Sequence, residues 1–366
     1  MTTPTFVVLA DDRTGAWESA GGCADRLGTA IPVWTGALVD LAPDIVIDVG
    51  TRHLQEDHAA AIVRHVCERV RGSGDARILH KIDSTLRGNW AHELVSAAAL
   101  HAGPVILVPS FPRVGRTCRG GTVFDGDGPV HHGAAGRDHR RPVMSSRPAD
   151  YLHSAGAHAV VELRSADELR QWLAATPRGF AVCDAETDAD LDALGALWSA
   201  HPGSSFAGTA ASVAAAVGAS RPRNGLAGSR HPPLPGPALV VCGSLHPAAR
   251  RQLATLRSEA IGPTVEIIAS DQPDSEAVTA TQASITATLL AEATVRARTK
   301  TRFASVVIIG GDTAAAILGD GARMIEGTVG PGLPWSIDGD AVIVTRPGGF
   351  GAERSLIELF SARMAP

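Results

Sequence analysis

Short, continuous apolar runs recur along the chain, each closing on a polar or glycine-bearing turn that opens into a stretch of helical periodicity. Runs of strand length occupy 6–10, 31–34, 44–49, 76–79, 104–108, 158–163 and 180–183, then 238–242, 264–269, 305–309 and 341–345. Between them, 17–27, 55–71, 90–100, 149–155, 166–174, 188–198 and 276–298 read as helices; in 55–71, Ala61, Ile62, His65, Val66 and Val70 form one face. Strands without hydrophobic alternation are buried on both faces, and their alternation with helices is that of parallel strands joined by crossovers. The expected class is therefore α/β, with two domains, each a mainly parallel sheet covered by helices. Gly21-Gly22, inside the first helix, is poor for propensity and predicts either close packing or a break there.

The alternation fails over 220–237, a stretch rich in Pro, Gly and Arg that reads as a linker. A chain of 366 residues accommodates about two domains, which places them at 1–219 and 238–366. A long Gly- and charge-rich loop runs from 109 to about 142, a length that usually signals function or mobility. A rigid turn is expected over 330–334.

The strand ends carry the polar chemistry, and open α/β sheets bind ligands at the carboxyl ends of their strands. The densest end is Lys81-Ile82-Asp83-Ser84-Thr85-Leu86-Arg87-Gly88-Asn89. Lys81, Ser84, Thr85 and Arg87 can bind an anion, Asp83 can accept a proton or hold a cation, and Gly88 lets backbone approach a ligand. Of the 33 Lys and Arg residues only Lys81 and Lys300 are lysine. A compact ammonium kept inside a polar motif is informative in a chain that otherwise uses Arg. The first strand ends in Asp11-Asp12, whose side chains diverge from an extended backbone, so that one is expected to face a ligand. Arg113 and Arg116, after the strand at 104–108, are suited to clamping a carboxylate or phosphate. In the second half, Gly243-Ser244, Gly310-Gly311-Asp312-Thr313 and Gly348-Gly349-Phe350-Gly351 close three strands, and backbone amides at such turns bind phosphate oxygens. Neither GxxxxGK[ST] nor GxGxxG occurs after a first strand, which argues against a P-loop enzyme and an ordinary dinucleotide binder.

Bulk properties narrow the setting. The net charge of −5 disfavours a general nucleic-acid or anionic-membrane surface, so phosphate binding must be local. Five scattered cysteines without a CxxC pair indicate a reducing compartment and no structural zinc. Of the 14 histidines, His131-His132 and His139 fall in a polar loop without metal-ligand spacing. No signal-peptide pattern or apolar run of spanning length is visible, so a cytoplasmic protein is expected.

Together these motifs resemble the four-carbon acid sugar kinase family, ATP-dependent kinases of threonate, erythronate and 3-oxo-tetronate. Ala10-Asp11-Asp12 with Thr14-Gly15-Ala16 is similar to its opening motif. The 81–89 stretch is similar to its most specific one, 109–116 to its PAFP…GR loop, and the three glycine turns to its nucleotide-binding turns. The resemblance implies an N-terminal sugar-acid domain, a C-terminal nucleotide domain, and ATP with Mg²⁺ as cofactors. Lys81 and Arg87 would hold the substrate carboxylate or the transferring phosphoryl, with Asp11, Ser84, Thr85, Gly88, Arg113 and Arg116 around the substrate. Asp12 or Asp83 would orient the hydroxyl and take its proton. Ser244, Gly310, Gly311, Asp312, Thr313, Gly348, Gly349 and Gly351 would hold the nucleotide. A homodimer is expected from how often soluble enzymes form one. The chain departs from the family's pattern at Arg13, Glu18, Asp312 and Arg346-Pro347, and Arg13 is expected to affect which acid is accepted. A second reading, a sugar-acid or nucleotide-binding protein without turnover, rests on those departures. A third, an α/β oxidoreductase, lacks its fingerprint.

Overall fold

The computed structural model describes residues 5–36, 44–74, 76–100, 103–138, 141–175, 178–221, 234–259, 265–270 and 279–361. Its elements run β1 Phe6–Ala10, α1 Arg13–Leu27, β2 Ile31–Thr35, β3 Ile45–Asp48, α2 Glu56–Ser73, β4 Arg77–Lys81, α3 Trp90–Ala98 and β5 Val105–Val108. There follow β6 Arg116–Arg119, β7 Thr122–Asp125, β8 Gly128–Pro129, α4 Pro148–Ser154, β9 Val160–Leu163, α5 Ala166–Ala175, β10 Phe180–Cys183, α6 Asp188–Ser199, β11 Ser205–Gly208 and α7 Ala210–Ala219. The last third comprises β12 Ala238–Cys242, α8 Pro247–Ser258, β13 Val265–Ala269, α9 Ala280–Lys300, β14 Ser305–Ile309, α10 Gly311–Leu318, β15 Gly321–Ile325, β16 Gly327–Gly330, β17 Leu333–Asp338, β18 Ala341–Arg346 and α11 Ser355–Glu358.

The protein is α/β. One sheet has nine strands in the order β15-β2-β3-β1-β4-β11-β5-β10-β9, parallel throughout except for β15 at its edge. The other has six, β13-β12-β14-β18-β17-β16, with its first four parallel and its last two antiparallel. Along β1, Phe6, Val8 and Ala10 pack into one apolar cluster and Val7 and Leu9 into another. That two-faced burial follows from the period-2 geometry of a strand covered on both sides. In the first sheet β3 and β4 flank β1, and in the second β13 and β14 flank β12. The strand order reverses at β1 and at β12, which opens a crevice at the carboxyl end of each sheet.

The two sheets are not held apart. The largest apolar cluster runs from β1 through α1 and α7 into Val241, Ile308 and Ile343 of the second sheet. Helix α1 is continuous, and Gly21-Gly22 serve close packing. A β-carbon at Gly21 would lie 2.9 Å from the Gly327 carbonyl oxygen, and one at Gly22 would lie 2.9 Å from the Ala214 β-carbon.

Several expectations are corrected. The loop over 109–142 contains the three-stranded antiparallel sheet β6-β7-β8. The turn expected at 330–334 is present, as the hairpin turn at Pro331-Gly332 that joins β16 to β17. Strand β15, from the second half of the chain, pairs with β2 of the first sheet. Helix α9 begins at Ala280; residues 276–278, His139 and residues 222–233 of the expected linker lie outside the described residues.

Candidate active site

A cleft of about 330 Å³ opens between the carboxyl ends of the two sheets. Its walls are built from strand ends at the two reversals. β1 delivers Asp11 and Asp12. Asp11 is 1% exposed and lies behind the wall, where Arg52 grips it with two bonds, Nε to Oδ2 and Nη2 to Oδ1, both 2.7 Å. Asp12 faces the cleft. Its Oδ1 accepts the Gly15 amide at 2.9 Å, capping α1, and its Oδ2 accepts Arg52 Nη1 at 2.9 Å. The doublet divides as its alternating geometry predicts: one carboxylate supports the wall and the other reaches the ligand space.

Strand β4 ends in Lys81, whose side chain is buried and meets the backbone of Gly15 at the start of α1. The Lys81 ammonium makes no hydrogen bond or ion pair among the described residues. Asp83 is held from several sides. It accepts the Thr85 amide at 3.1 Å and the Thr85 hydroxyl, and Arg87 Nε and Nη2 each at 3.0 Å. Arg52 Nη1 lies 3.4 Å from its Oδ1. Burial pushes the Asp83 carboxyl up, but Arg87 and then Arg52 outweigh it and hold Asp83 well below the usual carboxylate range. Leu86 adopts φ +68°, a left-handed conformation costly for a leucine, and its fully buried side chain over-determines the turn. Gly88, at φ +94°, allows Asp11 to pass; a β-carbon there would sit 2.7 Å from Asp11 Oδ2. Asn89 donates to the Thr51 and Leu54 carbonyls, both at 2.9 Å, and so anchors the loop that carries Arg52.

Glu18, one helical turn inside α1, also faces the cleft. Burial pushes it up to about 8, against the pull of the Lys81 ammonium, so it is protonated at neutral pH. The second sheet closes the other side. Gly310, at φ +113°, starts α10, and Gly311 lies so near α1 that a β-carbon there would meet Thr14 Oγ1 at 2.8 Å. The amino-terminal ends of α1 and α10 thus converge on the space beside Lys81. Ser244 packs against Gly348, and His246 against Gly349.

Of the residues read from the sequence, Asp12, Lys81, Asp83, Ser84, Thr85, Arg87, Gly88, Arg116, Ser244, Gly310, Gly311, Asp312, Gly348 and Gly349 line this one cleft. Four do not. Asp11 is buried behind the wall. Arg113 is exposed and paired with Asp188. Thr313 is buried beneath Gly243 and Gly310, and Gly351 lies beyond the lining. Two of the departures also act away from the ligand space. Arg13, expected to bear on acid choice, does not line the cleft: it pairs with Asp48 at 3.4 Å and donates to the Gly319 carbonyl at 2.8 Å. Arg346 is 1% exposed and supports the 347–351 turn from below by donating to the Phe350 carbonyl. The sequence reading missed Arg52, His53, Asp125, Asp138, Arg141 and His246 of the lining. Arg52 lies in a short turn after β3, beside the strand-order reversal.

Residues 6–217 match the family described as the sugar-binding N-terminal domain. A D-threonate kinase from Bordetella bronchiseptica is 30% identical over 410 residues, covering 98% of this chain and 97% of the relative. A solved Bordetella bronchiseptica structure, a domain of unknown function with bound citrate in a domain-swapped dimer, is 27% identical with a TM-score of 0.51, covering 99% of this chain and 98% of that one. A Haemophilus influenzae protein shares the fold at TM-score 0.66 and 19% identity, over 97% of this chain and 99% of that one.

Proposed function

The chain belongs to the four-carbon acid sugar kinase family, and from that premise we propose that it transfers the γ-phosphoryl group of ATP to a hydroxyl of a four-carbon sugar acid of the threonate, erythronate or 3-oxo-tetronate type. One observation carries the reading. Two helix amino-termini, α1 and α10, meet from opposite sheets at Thr14 and Gly311, beside a buried lysine whose ammonium makes no hydrogen bond or ion pair among the described residues. Helix starts present backbone amides and positive dipole ends to anions. A transferring phosphoryl group, whose charge spreads over three equatorial oxygens, is the anion such an arrangement suits. In this reading residues 1–219 bind the acid and 238–366 the nucleotide.

The residues divide the work. Lys81 neutralises the phosphoryl in flight. Arg87 and Arg116 hold the substrate carboxylate, with Ser84 and Thr85 on its neighbouring oxygens. Asp12 is the base. It faces the cleft and its side chain is a quarter exposed, at 25%, whereas Asp83 is more deeply buried, lies against both Arg87 and Arg52, and has its proton affinity depressed. A carboxylate so strongly stabilised as the anion is a poor proton acceptor. Asp83 instead orients Arg87. Glu18, protonated at neutral pH, donates to a substrate oxygen. Ser244 and the glycine turns at 310–311 and 348–349 hold the nucleotide.

Among the described residues no cluster of three or more His, Cys, Asp or Glu has the geometry of a metal cage. That fits Mg²⁺, which kinases bind chiefly through substrate phosphates, water and one or two carboxylates. Exposed Asp312, in the first turn of α10, would hold it, and the ion would supply charge neutralisation on the phosphate oxygens. A dimer and a cytoplasmic setting belong to the same reading. The Bordetella structure is a dimer, all five cysteines are free and buried, and no helix among the described residues is long and apolar enough to cross a membrane.

The test is phosphorus NMR of the protein with ATP, Mg²⁺ and each candidate acid. A new phosphomonoester resonance on one acid supports the reading. Nucleotide binding without any phosphomonoester overturns it in favour of a binding protein.

A further inference from the structure

We propose that His246 binds the phosphate chain of the nucleotide as a neutral Nε2–H donor, a role that rests on the kinase reading above. The chain leaves β12, where the strand order of the second sheet reverses, and passes through Gly243-Ser244-Leu245 into His246, the residue that caps α8. Its Nδ1 accepts the Ala248 amide at 3.2 Å. A backbone N–H only donates, so Nδ1 must present its lone pair, and a neutral imidazole then carries its proton on Nε2. That edge of the ring lies against the glycine turn: a β-carbon at Gly349 would sit 3.2 Å from Nε2. His246 lines the cleft, and Nε2 makes no hydrogen bond among the described residues.

The surroundings keep the ring neutral. Burial lowers its proton affinity, Arg87 and Arg116 from the first sheet lower it further, and so does Arg251 on α8; Asp125 opposes them. A second proton on Nδ1 would also point at the Ala248 N–H and break the cap. His246 is therefore a donor of fixed direction beside the glycine turn, in a cleft whose lining also includes Arg87, Arg116, Ser244 and the start of α10. A neutral N–H donor aimed into such a space fits a phosphate oxygen. The same tautomer excludes His246 as the base or as a phosphoryl acceptor through Nε2, because the ring's free lone pair is spent on the cap.

Two substitutions separate the cap from the donor. In His246→Asn the side-chain oxygen takes the Nδ1 position and keeps the cap, and nothing reaches the Nε2 position. In His246→Gln the amide N–H reaches the Nε2 position and the cap is lost. Calorimetric titration with ADP and Mg²⁺ is expected to show His246→Asn weakened roughly 10- to 100-fold, as for a lost bond to a charged group, with its melting temperature unchanged. His246→Gln is expected to melt lower and to bind within about threefold of wild type. The proposal is overturned if His246→Asn binds ADP like wild type, or if His246→Gln loses as much affinity as His246→Asn. Absence of ADP binding to the wild-type protein itself would instead remove the kinase reading, and the proposal with it.

Discussion

Replacing Arg52 by methionine removes a guanidinium that three carboxylates share. The loss falls mainly on Asp11, whose side chain is 0% exposed and whose two oxygens both bond to Arg52 at 2.7 Å. Asp83 retains Arg87, and Asp12, a quarter exposed, retains water and the Gly15 amide. The cost is therefore that of one buried ion pair broken from one side, about 3–5 kcal/mol. A unit-charge pair at about 4 Å with an effective dielectric near 20 gives a similar figure, about 4 kcal/mol. Against a total stability of about 5–15 kcal/mol this is a large fraction, readable as a shift of the urea midpoint at unchanged slope. The double variant Asp11→Asn with Arg52→Met removes both charges and is expected to recover most of the loss. A single variant within about 0.5 kcal/mol of wild type, or a double variant no more stable than the single one, would refute this view of Arg52.

Other consequences are equally direct. Glu18, pushed up to about 8 from an ordinary 4.5, holds a proton in the folded state that the unfolded chain releases, so its contribution to stability falls as pH rises from about 4.5 to about 8. Glu18→Gln is accordingly expected to gain stability over wild type at pH 8 and to match it near pH 4, by urea unfolding at both. Asp12→Asn keeps a good helix cap but cannot take a proton, so stopped assays should show turnover reduced about 10²- to 10⁴-fold with the melting temperature nearly unchanged. Gly21→Ala gains helix propensity but drives a methyl against the Gly327 carbonyl, 2.9 Å from the ideal β-carbon. A net destabilisation of about 1–3 kcal/mol is expected, measured by chemical unfolding.

Parallel strands were the most legible elements because each is a continuous apolar run buried on both faces, as in Phe6–Ala10 and Ser305–Ile309. The antiparallel ones were not. Arg116–Arg119 and Gly321–Ile325 alternate in burial, carry charge, and take their identity from distant partners rather than local pattern. For the same reason the sequence did not reveal that Gly321–Ile325 crosses to the first sheet. At the site, the 81–89 stretch was legible because its polar residues are contiguous, and the structure gathers most of them at the cleft. Arg52 was hidden by a short, unremarkable turn after β3, and its importance appears only when β1, β3 and β4 lie side by side. Asp11 and Arg113 show the converse: each lies near lining residues in sequence, yet its side chain does not line the cleft.

The central claim is that phosphoryl transfer takes place where α1 and α10 converge beside Lys81. Steady-state ADP release from ATP and Mg²⁺ with the preferred four-carbon acid tests it in two variants, Lys81→Ala inside the cleft and Arg113→Ala outside it. The account predicts at least a roughly 100-fold loss of kcat in Lys81→Ala, as for removal of an electrostatic stabiliser, and near wild-type turnover in Arg113→Ala. Full activity in Lys81→Ala, or a comparable loss in Arg113→Ala, would contradict it.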